Sequence, residues 1–197
     1  MPKYHPIPDH AIRIPVPDTI QQEDYSCGAS ALQAVCRYYG AGELEEEHEF
    51  VAALGMDKRI GSHPFQLKRL AERLGLRTRE FYGMTLEQLR TCLRKRQPVL
   101  LMIQAWGEEK GRSGFRRSYE GIWIDGHWVV AIGYDRTGVF FEDPSLQAIR
   151  GYLSNEELES RWHDVGPHRI HLDHYGLAVW SPLRGAGAYL KRAERIG

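Results

Sequence analysis

Cysteine is scarce. Cys27, Cys36 and Cys92 are the only three, and their scattered spacing builds neither a disulfide framework nor a Cys-x2-Cys zinc pattern, which fits a reducing compartment. No apolar run is long enough to span a bilayer, so no membrane segment is expected. Residues 1–20 lack the basic start, apolar stretch and cleavage site of a signal peptide. Together these absences favour the cytoplasm. Charge of one sign is lacking as well: 26 Lys and Arg balance 26 Asp and Glu, so nothing global draws the chain to nucleic acid or an anionic membrane. There is no internal repeat and no composition shift that marks a second domain. A chain of 197 residues with ordinary apolar content suits one domain over 1–197, with a core at about 15–181, an N-terminal arm and a short basic tail.

The stretch that organises the rest runs from Gln21 through Tyr25-Ser26-Cys27-Gly28 into a helical pattern ending at Gly40. Apolar residues at 32, 35, 36 and 39 keep helical spacing, Ser26 stands at the N-cap and Gly40 suits a left-handed C-terminal cap. Cys27 therefore falls in the first turn, where unpaired backbone N–H groups favour a thiolate and can donate to an oxygen that gains charge beside the sulfur. Gln21, six residues earlier, offers a second donor. Taken alone, Cys27 reads as a small buried residue, which is the role expected of Cys36 and Cys92.

Five prolines before residue 20 predict an extended arm or edge strand, with Ile12, Ile14 and Val16 alternating toward one face. Helices are predicted over Glu43–Leu54, Pro64–Leu74, Thr85–Arg96 and Ser154–Trp162, the last two opened by the capping boxes Thr85/Gln88 and Ser154/Glu157. The run Glu45, Glu46, Glu47 and Glu49 reads as a solvated face. Strands are predicted at Leu76–Tyr82, Val99–Ile103 and Tyr175–Trp180. Residues 107–126 read as a glycine- and arginine-rich loop. His127–Tyr134 and Val139–Glu142 flank Asp135-Arg136-Thr137-Gly138, a hairpin turn sequence. Strand alternation puts His127 on the face of Val129 and Ala131, so Asp143 meets it only if the register or a bulge sends it there. By themselves His127 is a hydrogen-bonded strand histidine and Asp143 a turn residue before Pro144.

The ordered set Gln-x5-Cys-Gly at a helix start, Gly126-His127-x-Val129-Val130 on a strand, and Asp143-Pro144-Ser145 closing the next strand resembles the papain-like cysteine peptidases that process bacteriocin leaders after a double glycine. The resemblance spans about residues 15–181. It implies an α+β papain-like fold, a helical layer packed on an antiparallel sheet. It also implies a Cys27 nucleophile, a His127 base, an Asp143 that orients it and a Gln21 oxyanion donor. Peptide or protein would be the substrate, and no cofactor is implied. Two other readings use the same residues: an acyl transferase like the phytochelatin synthases, and a module that binds peptides without cutting them. His163, His168, His171 and His174, with Asp164 and Asp173, hold enough donors for a metal protein, but no helical or Cys-x2-Cys spacing organises them and no metal site is expected.

Overall fold

The computed structural model describes residues 4–56, 58–59, 61–106, 119–166, 169–181 and 192–195. Helix α1, Cys27–Tyr39, is buried along every residue except Arg37. A helix that is covered all round needs neighbours on every side. Here α2 (Glu47–Leu54) and α3 (Pro64–Arg73) pack on part of its surface and strand β5 (Gly126–Tyr134) on another. The helix ends where expected, at Gly40 with φ of 60°. Ser26 stands at its N-cap without capping it. Its hydroxyl is turned back, accepting from Glu23 N (3.1 Å) and donating to Glu23 O (2.8 Å), and so closes the turn that leads into Cys27.

The remaining elements in chain order are β1 (Tyr4–Pro6), β2 (Ile12–Arg13), β3 (Arg77–Phe81), α4 (Leu86–Arg94), β4 (Val99–Gln104), β6 (Gly138–Glu142), β7 (Arg150–Ser154), α5 (Asn155–Arg161), β8 (His163–Val165), β9 (His171–Asp173), β10 (Gly176–Trp180) and β11 (Arg192–Arg195). The main sheet runs β1-β11-β7-β6-β5-β4-β10-β3, with β2 paired to β5 beyond the end of β4. All its pairings are antiparallel except β11 with β7. Every residue of β4 is buried, as its unbroken apolar run requires of a strand covered on both faces. The fold is therefore the expected mixture of helices and antiparallel sheet.

Several local expectations are corrected. Helix α2 begins at Glu47 rather than Glu43, because the Glu49 carboxylate accepts the backbone N–H groups of Glu45 and Glu46 (both 2.8 Å) and fixes the start there. Glu47 is buried, not solvated, and its carboxylate accepts Gln22 N at 3.0 Å. The histidine-rich stretch contains the hairpin β8–β9, and the short basic tail contains a strand, β11. Residues 107–118 of the expected loop lie outside the described residues.

One buried network ties the arm to the sheet. Glu142, on β6, accepts Thr19 N (2.8 Å) and Thr19 Oγ1 (3.0 Å) and pairs with Arg150 of β7, whose guanidinium also donates to Val16 O. Removing one member of such a pair leaves a buried charge uncompensated, at a cost of about 3–5 kcal/mol. The network holds residues 16–19 against the strand that ends at Asp143, and Gln21 N donates to Pro144 O at 2.9 Å just beyond it.

Candidate active site

Cys27 is the first residue of α1. The helical ladder begins with Ser30 N donating to Ser26 O (3.0 Å), so the N–H groups of Cys27, Gly28 and Ala29 precede it. Gly28 is needed for close approach: a Cβ there would lie 1.9 Å from Ser62 Oγ and 3.0 Å from Trp128 Cδ1. Trp128 in turn donates from its indole N–H to Ser62 O at 3.1 Å. The Cys-Gly step thus packs α1 onto β5 through the loop before α3.

His127 and Asp143 meet because β5 carries a bulge. Gly133 pairs with Phe140 and Tyr134 with Val139, but Ala131 pairs with Phe141 and Val130 with Glu142, so Ile132 is the extra residue. Without it, Asp143 would continue opposite Val130, on the face turned away from His127. With it, Asp143 falls opposite Val129 and shares the face of His127. The carbonyl of Ile132 accepts Ile14 N at 2.7 Å, which continues the register of β2 along β5.

The imidazole is fully buried and donates from Nε2 to Asp143 Oδ1 at 2.7 Å. Asp143 Oδ1 also accepts Ser145 N (2.9 Å) and Ser145 Oγ (2.8 Å), which fixes the carboxylate as well as the ring. Nδ1 is the nitrogen left for the thiol. The Cys27 side chain is near enough to act on the proton affinity of the ring, but among the described residues Nδ1 makes no well-aligned hydrogen bond, a common state before substrate tightens a site. Burial disfavours charge on His127, yet the Asp143 carboxylate, its hydrogen bond and the Cys27 side chain hold its pKa well above the ordinary histidine value. Burial likewise pushes Asp143 up, and the imidazolium and the Ser145 donors more than reverse it. A thiol, an imidazole and a carboxylate in this order can take, hold and return one proton.

The profile of the Peptidase_C39 like family matches residues 13–169. The chain belongs to that family. Among solved structures, a C39-like peptidase from Bacillus anthracis superposes with a TM-score of 0.66 at 18% identity, over 89% of this chain and 100% of that one. The peptidase domain of Streptococcus ComA, a bifunctional ABC transporter of a quorum-sensing pathway, gives 0.57 at 18% identity, over 88% and 99%. A double glycine motif protease of an AMS/PCAT transporter, solved with the leader peptide, gives 0.55 at 18% identity, over 88% and 96%. At such identities the superpositions establish a shared fold. No curated protein matches the sequence.

Within this C39-like fold Gln21 and Gln22 part company. Gln22 is exposed, and its amide reaches back to Ile20 O at 3.4 Å. Gln21 is half-buried and its Nε2 donates one hydrogen to Glu23 O (3.0 Å); among the described residues its other amide hydrogen and its buried Oε1 have no partner. A cleft of about 470 Å³ opens on Cys27, walled by Tyr25 and Gly61 on one side and by Trp123, Gly126 and Asp164 on the other. A larger hollow of about 590 Å³, lined by Gln22, Arg37, Glu47 and His48, does not include Cys27, so size alone would choose the wrong concavity.

Sequence reasoning missed Trp106, whose ring lies 4.8 Å from that of His127, tilted by 53°, and covers it. It also missed the buried Gln104, whose Oε1 accepts Asp125 N (3.1 Å) and whose Nε2 donates to His163 O and Asp164 Oδ1 (both 3.1 Å). Neither sits in a motif; only the pairing of β4 with β5 brings them to the site. The histidines disperse. His163 donates to Ile122 O (2.8 Å), His171 stacks on Trp123 and His174 faces Glu159 at 3.6 Å, while His168 lies outside the described residues. Among the described residues no three possible ligands gather around one point.

Proposed function

We propose that the protein is a cysteine peptidase that cleaves peptide bonds through Cys27, His127, Asp143 and Gln21. The supporting observation is that the bulge at Ile132 brings His127 and Asp143 into a 2.7 Å contact that leaves the other ring nitrogen to the thiol at the start of α1. In this reading His127 takes the thiol proton through Nδ1 as sulfur attacks the scissile carbonyl, and returns it to the leaving amine. Asp143 keeps the Nε2 tautomer and offsets the charge on the ring. The Cys27 N–H and the remaining N–H of Gln21 receive the oxyanion. Water, deprotonated by the same imidazole, then releases the acyl group.

The substrate we infer is a peptide, with the double-glycine leader of the transporter-linked neighbour as the starting guess for its cleaved segment. We further take residues 1–197 as one peptidase domain acting in the cytoplasm. Among the described residues, no helix is long and apolar enough to cross a membrane. The test is mass spectrometry of a peptide pool incubated with the protein and with Cys27→Ala, with and without a primary amine or thiol acceptor. New carboxyl ends that disappear with Cys27→Ala support hydrolysis, acceptor adducts would make the protein a transferase, and intact peptides throughout would leave it a binding module.

A further inference from the structure

Asp164 is a second buried carboxylate at the same cleft, and the chemistry above does not use it. Only 8% of it is exposed, yet it lines the cleft with Cys27. Among the described residues its hydrogen bonds come from Gln104 Nε2 (3.1 Å) and Val165 N (2.8 Å), both on Oδ1. Oδ2 lies against the α carbon of Gly126, the residue before His127, where a Cβ would approach it to 2.2 Å. Glycine at 126 is what leaves room for the carboxylate. Gln104 holds both sides of this contact, since it also accepts Asp125 N at 3.1 Å.

A buried anion is ordinarily matched by a cation. Here burial pushes the carboxyl up to about 6, opposed only by the Val165 N–H and the Gln104 amide, with no basic side chain of the described residues contributing. Lys58 and Arg59 line the same cleft but are exposed, at its solvent edge, where charges are screened. Trp123 offers a half-buried aromatic wall against which the methylene stem of a long basic side chain can lie. We propose that Asp164 makes the cleft beside Cys27 a subsite for a cationic nitrogen of the peptide substrate. That nitrogen belongs to a lysine or arginine side chain or to the amino terminus of the peptide.

This inference rests on the peptidase reading, and the experiment separates the two. Hexapeptide amide pools, with one position at a time fixed as lysine, norleucine or glutamate, are made with free and with acetylated amino termini. They are passed over immobilised Cys27→Ala and over Cys27→Ala with Asp164→Asn, and retained peptides are identified by mass. Lysine pools should be retained at least about tenfold over norleucine pools on the first protein, and the preference should vanish on the second. A lysine preference that survives acetylation assigns the site to a side chain, whereas retention shared by lysine and norleucine pools that both acetylation and Asp164→Asn remove assigns it to the terminus. Equal retention of lysine and norleucine on Cys27→Ala that acetylation leaves unchanged overturns the subsite. So does a preference unchanged by Asp164→Asn, which keeps the room and both donors; Asp164→Ser provides the check should the asparagine variant melt early. Cleavage of the same pools by the unmodified protein is read separately. Retention without cleavage leaves the subsite standing and removes the peptidase, whereas cleavage indifferent to lysine does the reverse.

Discussion

Of the two nitrogens of His127, Nε2 is bonded to Asp143 and Nδ1 has no hydrogen-bond partner among the described residues, and that division has consequences for both stability and rate. Asp143, held low by the imidazolium, adds stability above its unfolded value near ~3.9, and this is lost as pH falls through the folded value. His127, held high, adds stability that is complete below its unfolded value near ~6.5 and is lost as pH rises through the folded value. The two contributions overlap between about pH 4 and 6.5. Denaturant unfolding should therefore show the protein exceeding Asp143→Asn by about 1–3 kcal/mol in that window, with the margin shrinking above it. A margin that grows from neutral to alkaline pH would contradict a charged pair. The glutamines divide in the same way. Among the described residues Gln21 has an amide hydrogen and a buried oxygen without partners, whereas Gln22 faces solvent. A donor aimed at charge that exists only in the tetrahedral intermediate lowers kcat with little effect on KM. Steady-state kinetics on one cleavable peptide should give a loss of about a hundred- to a thousandfold for Gln21→Ala and almost none for Gln22→Ala. The reverse pattern would move the oxyanion site by one residue.

At the scale of elements, the contact between α1 and β5 depends on the absence of one methyl group. An alanine at 28 must displace Ser62 Oγ and crowd Trp128, and Ser62 is itself buried and tied through its carbonyl to the indole. Gly28→Ala should lower stability by about 1–3 kcal/mol in thermal or denaturant unfolding, the usual cost of overpacking. Adding Ser62→Gly should recover most of the loss, and an unperturbed Gly28→Ala would mean that the helix start is looser than drawn. Elements with strong local signals were legible in the sequence: the capping boxes at Thr85 and Ser154, the left-handed glycine after α1 and the Asp135–Gly138 turn all form. What was not legible depended on partners distant in the chain. Nothing near Ile132 announces a bulge, which shows only as a shift in the register of β5 against β6. The alternation rule could say only that Asp143 needed one. Glu47 sits in an acidic run that reads as surface, and it is buried because the turn around Gln22 folds back onto it. Strands β8 and β11 are too short, and too rich in charged and histidine residues, for an apolar period to mark them.

For the whole molecule, the decisive fact is that Cys27 and His127 lie a hundred positions apart and meet only because α1 packs on β5. On the proposed chemistry, reactivity at Cys27 is a property of the folded chain and should vanish with the fold. The other two thiols are internal controls. Cys36 is 1% exposed and burial pushes its pKa up to about 12; burial also raises Cys92, against the opposing pull of Arg79 and Lys95. The measurement is the rate of iodoacetamide modification of each cysteine at neutral pH, followed by peptide mass, for the native protein, the unfolded protein and folded His127→Ala. Cys27 should react at least about tenfold faster than Cys36 and Cys92 in the native protein, lose that lead on unfolding, and slow markedly in His127→Ala. Equal labelling of the three thiols in the folded state, or a Cys27 rate indifferent to His127→Ala, would contradict the account.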